Sequence, residues 1–388
     1  MAKNFSKYKH NLSFNGSRNY STESSDFEFL CFYVWRKVCM KIDQKILIQL
    51  LFHQIGMHMR KAHLRVILIT IIAIIVIFTG IGVGSVFIHP MDVLKVFIDS
   101  SELDPLIVSI VWSLRTPRVL LAFLVGAALG ASGAVMQSVL RNPLASSYTI
   151  GVSSGASLGV SLIFLSGFGF ATSLVPLFGL IGGMLTVFIV VFVSSKMDKH
   201  MMNHTVILFG IVFSLFINAI QTLLVAFSRD GLERLILWQL GSFALREWSY
   251  VIMMAPVTII GVLFLYSYSK ELDIMTFGED QALSLGVELK QKKWHVLLTS
   301  GVLAGCSVAF AGVIGFVDLI SPHVIRKLFG SSHRYIVPMS AIFGGTFLVL
   351  ADILARTIIP LAELPVGAVT AVIGAPFFAY VYFRGKKY

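Results

Sequence analysis

Charged residues are scarce in this 388-residue chain, where Asp, Glu, Lys and Arg together make up 13%, against roughly 25% in ordinary soluble domains. With 56% hydrophobic residues and a mean hydropathy of +0.83, that scarcity excludes a soluble globular domain. Cysteine is nearly absent. Cys31, Cys39 and Cys306 are the whole complement, and three scattered thiols form neither a disulfide framework nor a metal-ligand cluster. There is no GxxxxGK[ST] loop, so any ATP that drives this protein is hydrolysed by another chain. No Ser/His/Asp or Cys/His set is visible. Carboxylates inside the apolar stretches are few, with Asp318 and Glu363 the isolated candidates, whereas a proton-relay transporter normally carries more. A secretory leader is also missing: no basic start, apolar centre and small-residue cleavage site occur in that order.

Acidic residues are outnumbered, 20 against 31 Lys and Arg, for a net charge of +11. In a soluble protein that excess would point to nucleic acid. In so apolar a chain it is the excess that collects in cytoplasmic loops, and no nucleic-acid partner is expected.

What is present is a series of apolar spans, at 66–88, 115–140, 148–168, 173–195, 204–227, 249–270, 294–316, 335–356 and 364–383. Each approaches the roughly 20 residues that cross a bilayer. Basic residues flank both ends of the series: Arg60, Lys61 and Arg65 before it, Arg384, Lys386 and Lys387 after it. By the positive-inside rule both flanks are cytoplasmic, so the number of crossings is even. The interrupted segment DLISPHVIRKLFGSSH, 317–332, supplies the missing one and brings the count to about ten. Residues 1–56 stand apart as a polar N-terminal extension, read as a disordered tail or an over-extended reading frame, ahead of a membrane domain at 57–388. Segments 132–143 and 311–322 align weakly as an inverted repeat. Interrupted segments at corresponding places in two halves are a mark of transporters.

Four groups carry candidate function. Arg115 and Arg118 are three apart at the outer end of a span, and Arg356 lies at another outer end, with Asp352 one turn before it as an i,i+4 partner. Arginines there break the charge rule. They either snorkel to headgroups or receive acidic residues of an external partner. The inside loop 270–293 contains GEDQALSLG, in which Ala282 and Leu285 form a small apolar stripe and Gly286 ends a short helix. Its acidic start favours a protein partner over anionic lipid. Asn142-Pro143-Leu144 makes a turn between two spans. The run MDKHMMNH at 197–204 is a short connection rather than a metal site.

Taken together, RTPRVLLAFLVGAALGASGAVMQ, the RNPLA turn followed by GVSSGASLG, GEDQALSLGV, GVIGFVDLISPHVIRKL and ADILARTIIPLAELPVGAVTAVIGAPFF resemble the FecCD family. These are the membrane permeases of bacterial ABC importers for iron–siderophores, haem and vitamin B12. The resemblance spans residues 66–388. It implies an all-α, polytopic subunit of about ten helices with the vitamin B12-importer-like permease fold, placed in the bacterial cytoplasmic membrane with both termini inside. It implies no catalytic site, metal or cofactor. Its implied partners are the lipid bilayer, two cytoplasmic ATP-binding subunits, an extracytoplasmic substrate-binding protein and a second permease copy, identical or a paralogue. Arg115, Arg118 and Arg356 then match the arginines that dock the binding protein. Gly278, Glu279, Ala282, Leu285 and Gly286 match the helix that couples to the ATPase, and Asn142 and Leu144 match a cytoplasmic gate. A second gate falls at Asn203 and His204, where the small hydroxyl residues of the best-known member are missing. Asp318 stands where many relatives have glycine. An iron chelate is the implied cargo, siderophore or haem, with cobalamin as the alternative. A secondary transporter working alone is the main rival from outside this class.

Overall fold

An apolar segment in lipid has no water to satisfy its backbone, so it must close its hydrogen bonds on itself. The computed structural model is accordingly helical throughout, with no strand among the described residues. These are residues 44–84, 86, 88–101, 103–165, 174–198, 203–226, 229–286, 288–359 and 362–385. Most of the N-terminal extension with Cys31 and Cys39, residues 199–202 of the Met/His run, and Lys386 and Lys387 lie outside them. The chain divides into a unit of residues 1–63 and a larger one of residues 64–388. In the first, the helix α1 (Gln44–Gly82) begins and runs on past position 57.

The larger unit holds the rest of α1 and thirteen further helices, here numbered α2 to α14. α2 is Pro90–Ile98, α3 Pro105–Val139, α4 Val152–Leu165, α5 Val175–Met197, α6 Asn203–Ala226 and α7 Arg229–Gln239. α8 is Trp248–Ser267, α9 Ser269–Phe277, α10 Glu279–Ser284 and α11 Leu289–Ala311. α12 is Val317–Phe329, α13 His333–Thr357 and α14 Val366–Gly385. Among the described residues, seven of these fourteen are long and apolar enough to cross a membrane: the 62–82 part of α1, then α3, α5, α6, α8, α11 and α13. α4 and the 366–380 part of α14 are apolar but shorter, and α12 has 13 residues, or about 20 Å against a hydrocarbon core of roughly 30 Å. The long apolar helices alone do not make up the ten expected. Two stretches between the apolar spans also carry helix. α2 and the first ten residues of α3 fall within 89–114, and α7 falls within 228–248.

Local chemistry sets the boundaries. Pro90 and Pro105 occupy first turns, where their missing N–H is not needed, behind His89 and Asp104, whose side chains accept from the N–H of Met91 and Leu106. In α3 the turn Ile110–Arg115 is π-helical, ahead of Pro117, and the Thr116 hydroxyl closes back onto the Val111 carbonyl at 2.7 Å. α3 ends at a break that includes Arg141 (φ +49°), the Asn142 turn and a short 3-10 segment Ser147–Ile150.

α3 is the axis of the bundle. It is buried along almost all of residues 116–139 and packs most extensively on α13. Small residues allow that approach. A Cβ built on Gly126 would stand 2.3 Å from the Gly344 carbonyl oxygen, and one on Gly130 would stand 2.1 Å from that of Ser340. At Gly133 the obstruction is Asp318 oxygen at 1.9 Å. The two segments of the weak repeat therefore touch at Gly133 and Asp318. The first is helical as far as Val139, whereas the second opens at Gly312 before α12 begins.

Gly133→Ala is accordingly expected to destabilise the subunit by about 1–3 kcal/mol, the usual cost of overpacking. The methyl meets backbone, which cannot rotate away. A thermal melt of the detergent-solubilised protein reads this directly, and an unchanged midpoint would show that α12 can move aside.

Candidate functional site

Polar side chains gather at both ends of the bundle and at one point between them. At the first end, the three arginines singled out in the sequence converge on one cleft of about 700 Å³, which Arg246, Glu247 and Glu363 also line. They are buried rather than free. Arg115 donates to the carbonyls of Ile81 (3.2 Å), Gly82 (2.7 Å) and Val86 (2.5 Å), and so closes the end of α1. Arg118 grips Asp352 through Nε (3.0 and 3.2 Å) and Nη2 (2.8 Å), and reaches Glu363 through Nη1 at 2.8 Å. Arg356 donates to the Gly80 carbonyl and stands 3.4 Å from Asp352 as an ion pair. Snorkelling is therefore not what holds these side chains. The i,i+4 pair expected between Asp352 and Arg356 exists, but Arg118 is the closer partner of Asp352. Trp112 and Trp248 meet nearby in a tilted pair, ring centroids 5.2 Å apart, and tryptophan favours the depth of lipid headgroups.

At the opposite end lies the loop with α9 and α10. Gly278 (φ +137°) separates the two helices, a backbone conformation that suits glycine alone. Gly286 (φ +79°) follows α10 as the sequence requires. The apolar stripe, however, is not formed. Ala282 is 0% exposed and turned into the bundle, while Leu285 is 70% exposed. In a helix of 6 residues, with Leu285 at its C-cap, the last side chain departs from the face the spacing assigned. Among the described residues of this loop, Phe277, Leu283 and Leu285 form the outward apolar surface. Glu279, first residue of α10, pairs with Lys293 at 2.7 Å, and Lys293 also donates to Asn203 Oδ1 at 3.1 Å. Asn203 starts α6, and His204 beside it is exposed.

A second buried assembly ties this loop to the end of α3. The His333 ring, at the start of α13, lies 2.6 Å from Asp273 of α9 through Nδ1 and 2.6 Å from Ser138 of α3 through Nε2. Arg326 of α12 donates to Ser138 Oγ at 2.9 Å and to Gln137. Gln137 in turn accepts, through its carbonyl, from the N–H of Asn142 at 3.1 Å. Asn142 closes its own turn, its side chain accepting from Leu144 N–H at 2.9 Å, and leaves the Leu144 side chain exposed. These joints were not legible from spacing. Gln137 and Arg326 lie 189 residues apart.

Between the ends sits Asp318, 0% exposed. Its Oδ2 accepts from Ser146 Oγ at 2.5 Å and from Ser147 N–H at 3.2 Å. The Tyr148 hydroxyl donates to the Ile314 carbonyl at 2.8 Å. Asp318 thus clasps the start of α12 to the 3-10 turn that follows the Asn142 break. This carboxylate therefore has a bonding role.

The geometry matches a known group. Residues 71–384 match the model of the FecCD transport family. The chain belongs to that family. It is 41% identical over 325 residues to the ABC transporter permease protein YvrB of Bacillus subtilis, covering 80% of this chain and 91% of that one. It is 36% identical to the vitamin B12 import system permease protein BtuC of Vibrio parahaemolyticus, over 83% of this chain and 94% of that one. To the hemin transport system permease protein HmuU of Yersinia pestis it is 37% identical, over 71% and 84% of the two chains. Among solved structures, an inward-facing metal-chelate type ABC transporter superposes with a TM-score of 0.72 at 30% identity, covering 81% of this chain and 97% of that one. As a FecCD member, the chain is an ABC importer permease, a transport subunit of a family that is not itself catalytic.

Proposed function

We propose that this permease carries an iron chelate, siderophore or haem, into the cytoplasm. Two cytoplasmic ATP-binding subunits drive it, an extracytoplasmic binding protein feeds it, and a second permease copy completes the path. The observation that carries this reading is the opposition of the two ends. One presents a cleft with three arginines. The other presents an exposed apolar surface at α10, joined by polar contacts to the break at Asn142 and to Asn203.

The arginine end faces outward, and its cleft receives carboxylates of the binding protein, which guanidinium groups bind with two parallel hydrogen bonds. The α10 end faces inward and, with Gly278 and Gly286 as its hinges, docks on the ATPase, both termini lying on that side. Asn142 with Leu144, and Asn203 with His204, stand at the cytoplasmic gate. The second copy packs on α6, where Asn218 and Thr222, four apart, are exposed among apolar neighbours. Polar groups repeated on one face are costly against lipid and suit a pathway. The BtuC relative makes cobalamin the alternative cargo.

The test is ATP-dependent uptake into proteoliposomes holding the full importer, with radiolabelled ferric siderophore, haem and cobalamin in parallel. Uptake of either iron compound supports the proposal. Cobalamin alone transfers it to the alternative, and uptake by the permease without an ATPase refutes it. Residues 1–56 are dispensable in this reading. Expression from Met57 should give an inserted subunit with unchanged uptake, and loss of insertion in that truncation would show the extension to be part of the working protein.

A further inference from the structure

His333 is the first residue of α13, 1% exposed, and its ring lies between two other helices. On one side stands α9 of the coupling loop. Asp273 Oδ1 accepts from the His333 backbone N–H at 2.8 Å and lies 2.6 Å from ring Nδ1. On the other side stands the end of α3, where Ser138 Oγ lies 2.6 Å from Nε2. Ser138 is firmly seated. Its hydroxyl also faces the Ala134 carbonyl one turn back at 2.8 Å, and Arg326 Nη2 of α12 at 2.9 Å. The next contact leads into the chain break, where the backbone carbonyl of Gln137 accepts from the N–H of Asn142 at 3.1 Å. Arg141, within that break, also comes close to the loop. A Cβ built on Gly278 would stand 3.9 Å from its Nη1.

We infer that His333 is a positioning residue for transport: its ring is the strut through which displacement of α9 reaches the end of α3 and resets the turn at Asn142 and Leu144. The inference rests on the reading of α10 as the ATPase contact and of that turn as a gate. Gly278, with φ +137°, lets α10 turn on α9, but a push or pull still passes along the chain. The physical basis is stiffness. A planar ring fixes its two nitrogens relative to each other, with no rotatable bond between them. Hydrogen bonds weaken beyond about 3.2 Å, so two contacts this short absorb roughly an ångström between them. A larger shift of α9 either carries Ser138 along or breaks the strut. Arg326 holds both Gln137 and Ser138, so the end of α3 moves with α12 attached. Past Val139 the chain leaves the helix, and there the displacement is taken up. Capping α13 would need only Asp273, which already accepts the backbone N–H. The second ring contact, to another helix, is what a strut requires.

The experiment uses the assembled complex of this permease with its ATP-binding subunits. The three native cysteines are replaced and a single reporter, Leu144→Cys, is introduced where the side chain is exposed. The rate of modification by a water-soluble maleimide is measured without nucleotide and after trapping with ATP and orthovanadate. In the otherwise unchanged reporter protein the two rates should differ by about fivefold or more, the lower end of ordinary coupling between sites. Ser138→Ala and His333→Asn cut the same link from opposite sides. Ser138→Ala leaves His333 on Asp273, and Arg326 on Gln137 and the Ala134 carbonyl. His333→Asn places an amide nitrogen near Asp273 but does not reach Ser138. In both the difference should fall below about twofold while nucleotide is still trapped. Ser138→Thr, which keeps a hydroxyl, should retain it.

A full response in either Ser138→Ala or His333→Asn overturns the inference and reduces His333 to a cap for α13. A reporter protein that shows no response overturns the gate reading, and the inference falls with it. Unaltered ATPase binding by Leu285→Asp separately overturns the coupling reading. The three failures are thus told apart.

Discussion

Arg118→Met is expected to destabilise the arginine end of the subunit by about 3–5 kcal/mol, the range for removing one partner of a buried ion pair. Asp352 is 0% exposed, and Arg118 supplies all three of the hydrogen bonds recorded to its carboxylate. Methionine fills similar volume but leaves that carboxylate with only Arg356, at 3.4 Å. The same change frees Glu363, which can hydrate in the cleft and contributes less. Arg118→Lys keeps the charge, but one ammonium cannot span Asp352 and Glu363 as the guanidinium fork does. It should fall between the parent and Arg118→Met. The matching control is Arg118→Met with Asp352→Asn, which removes both charges and should recover much of the loss, since replacing a whole buried pair is often close to neutral. Thermal melts in detergent of the parent, Arg118→Met, Asp352→Asn and the double variant form the cycle, with Arg118→Lys measured beside them. A melting point for Arg118→Met equal to that of the parent would mean that the Asp352 carboxylate is paired elsewhere.

This result changes how docking of a binding protein has to be tested. Charge reversal at Arg118 sets glutamate against Asp352 and Glu363 and injures the fold before any partner arrives. Binding affinity is informative only for variants that melt like the parent. Docking contacts at the rim of the cleft weaken with added salt, whereas the buried Arg118–Asp352 pair is screened far less, and that difference separates the two roles.

The sequence revealed the helices where their physics is local. The apolar spans beginning at 66, 173, 204, 249 and 294 correspond to α1, α5, α6, α8 and α11 within a few residues, because a continuous apolar run has few alternatives in lipid. A helix, α12, does lie in the interrupted segment 317–332, although its 13 residues are fewer than a crossing needs. α2 and α7 were missed, since they are short and lie in charged connections. The arginines were found through their violation of the charge rule, but their partners were not. Arg118 and Asp352 are 234 residues apart, and periodicity reports only on neighbours three or four positions away. The same distance hid Lys293 behind a cluster of loop lysines, where nothing in KQKKW marks which one is turned inward. Ala282 and Leu285 were assigned one face by spacing, and a six-residue helix has too little length for spacing to decide. Asp318 was legible as an anomaly. Its purpose required Ser146 and Ser147 from the far side of the α3 break.

Leu285→Asp is expected to abolish productive contact with the ATPase while leaving the permease folded. Leu285 is 70% exposed, and surface substitutions outside special features change stability by only about 0.5 kcal/mol. Its neighbour Gly286 has nothing within 4 Å of where a Cβ would lie, so the tip of the loop has room. The carboxylate costs nothing until a partner covers it. An uncompensated charge inside an apolar contact is then penalised by about 2–5 kcal/mol, by analogy with truncated interface charge pairs, which corresponds to a loss of affinity of at least about 30-fold. The contrast with Ala282→Asp makes the prediction sharp. Ala282 is 0% exposed, so that change should lower the melting point of the isolated permease and impair insertion. Leu285→Asp should do neither. Co-purification with the ATP-binding subunits, stimulation of their hydrolysis and uptake should fall together in Leu285→Asp, at unchanged membrane level. Should the ATPase still co-purify in parent-like amounts, the contact surface lies away from Leu285, and Phe277 with Leu283 becomes the remaining exposed apolar part of this loop on which it can rest.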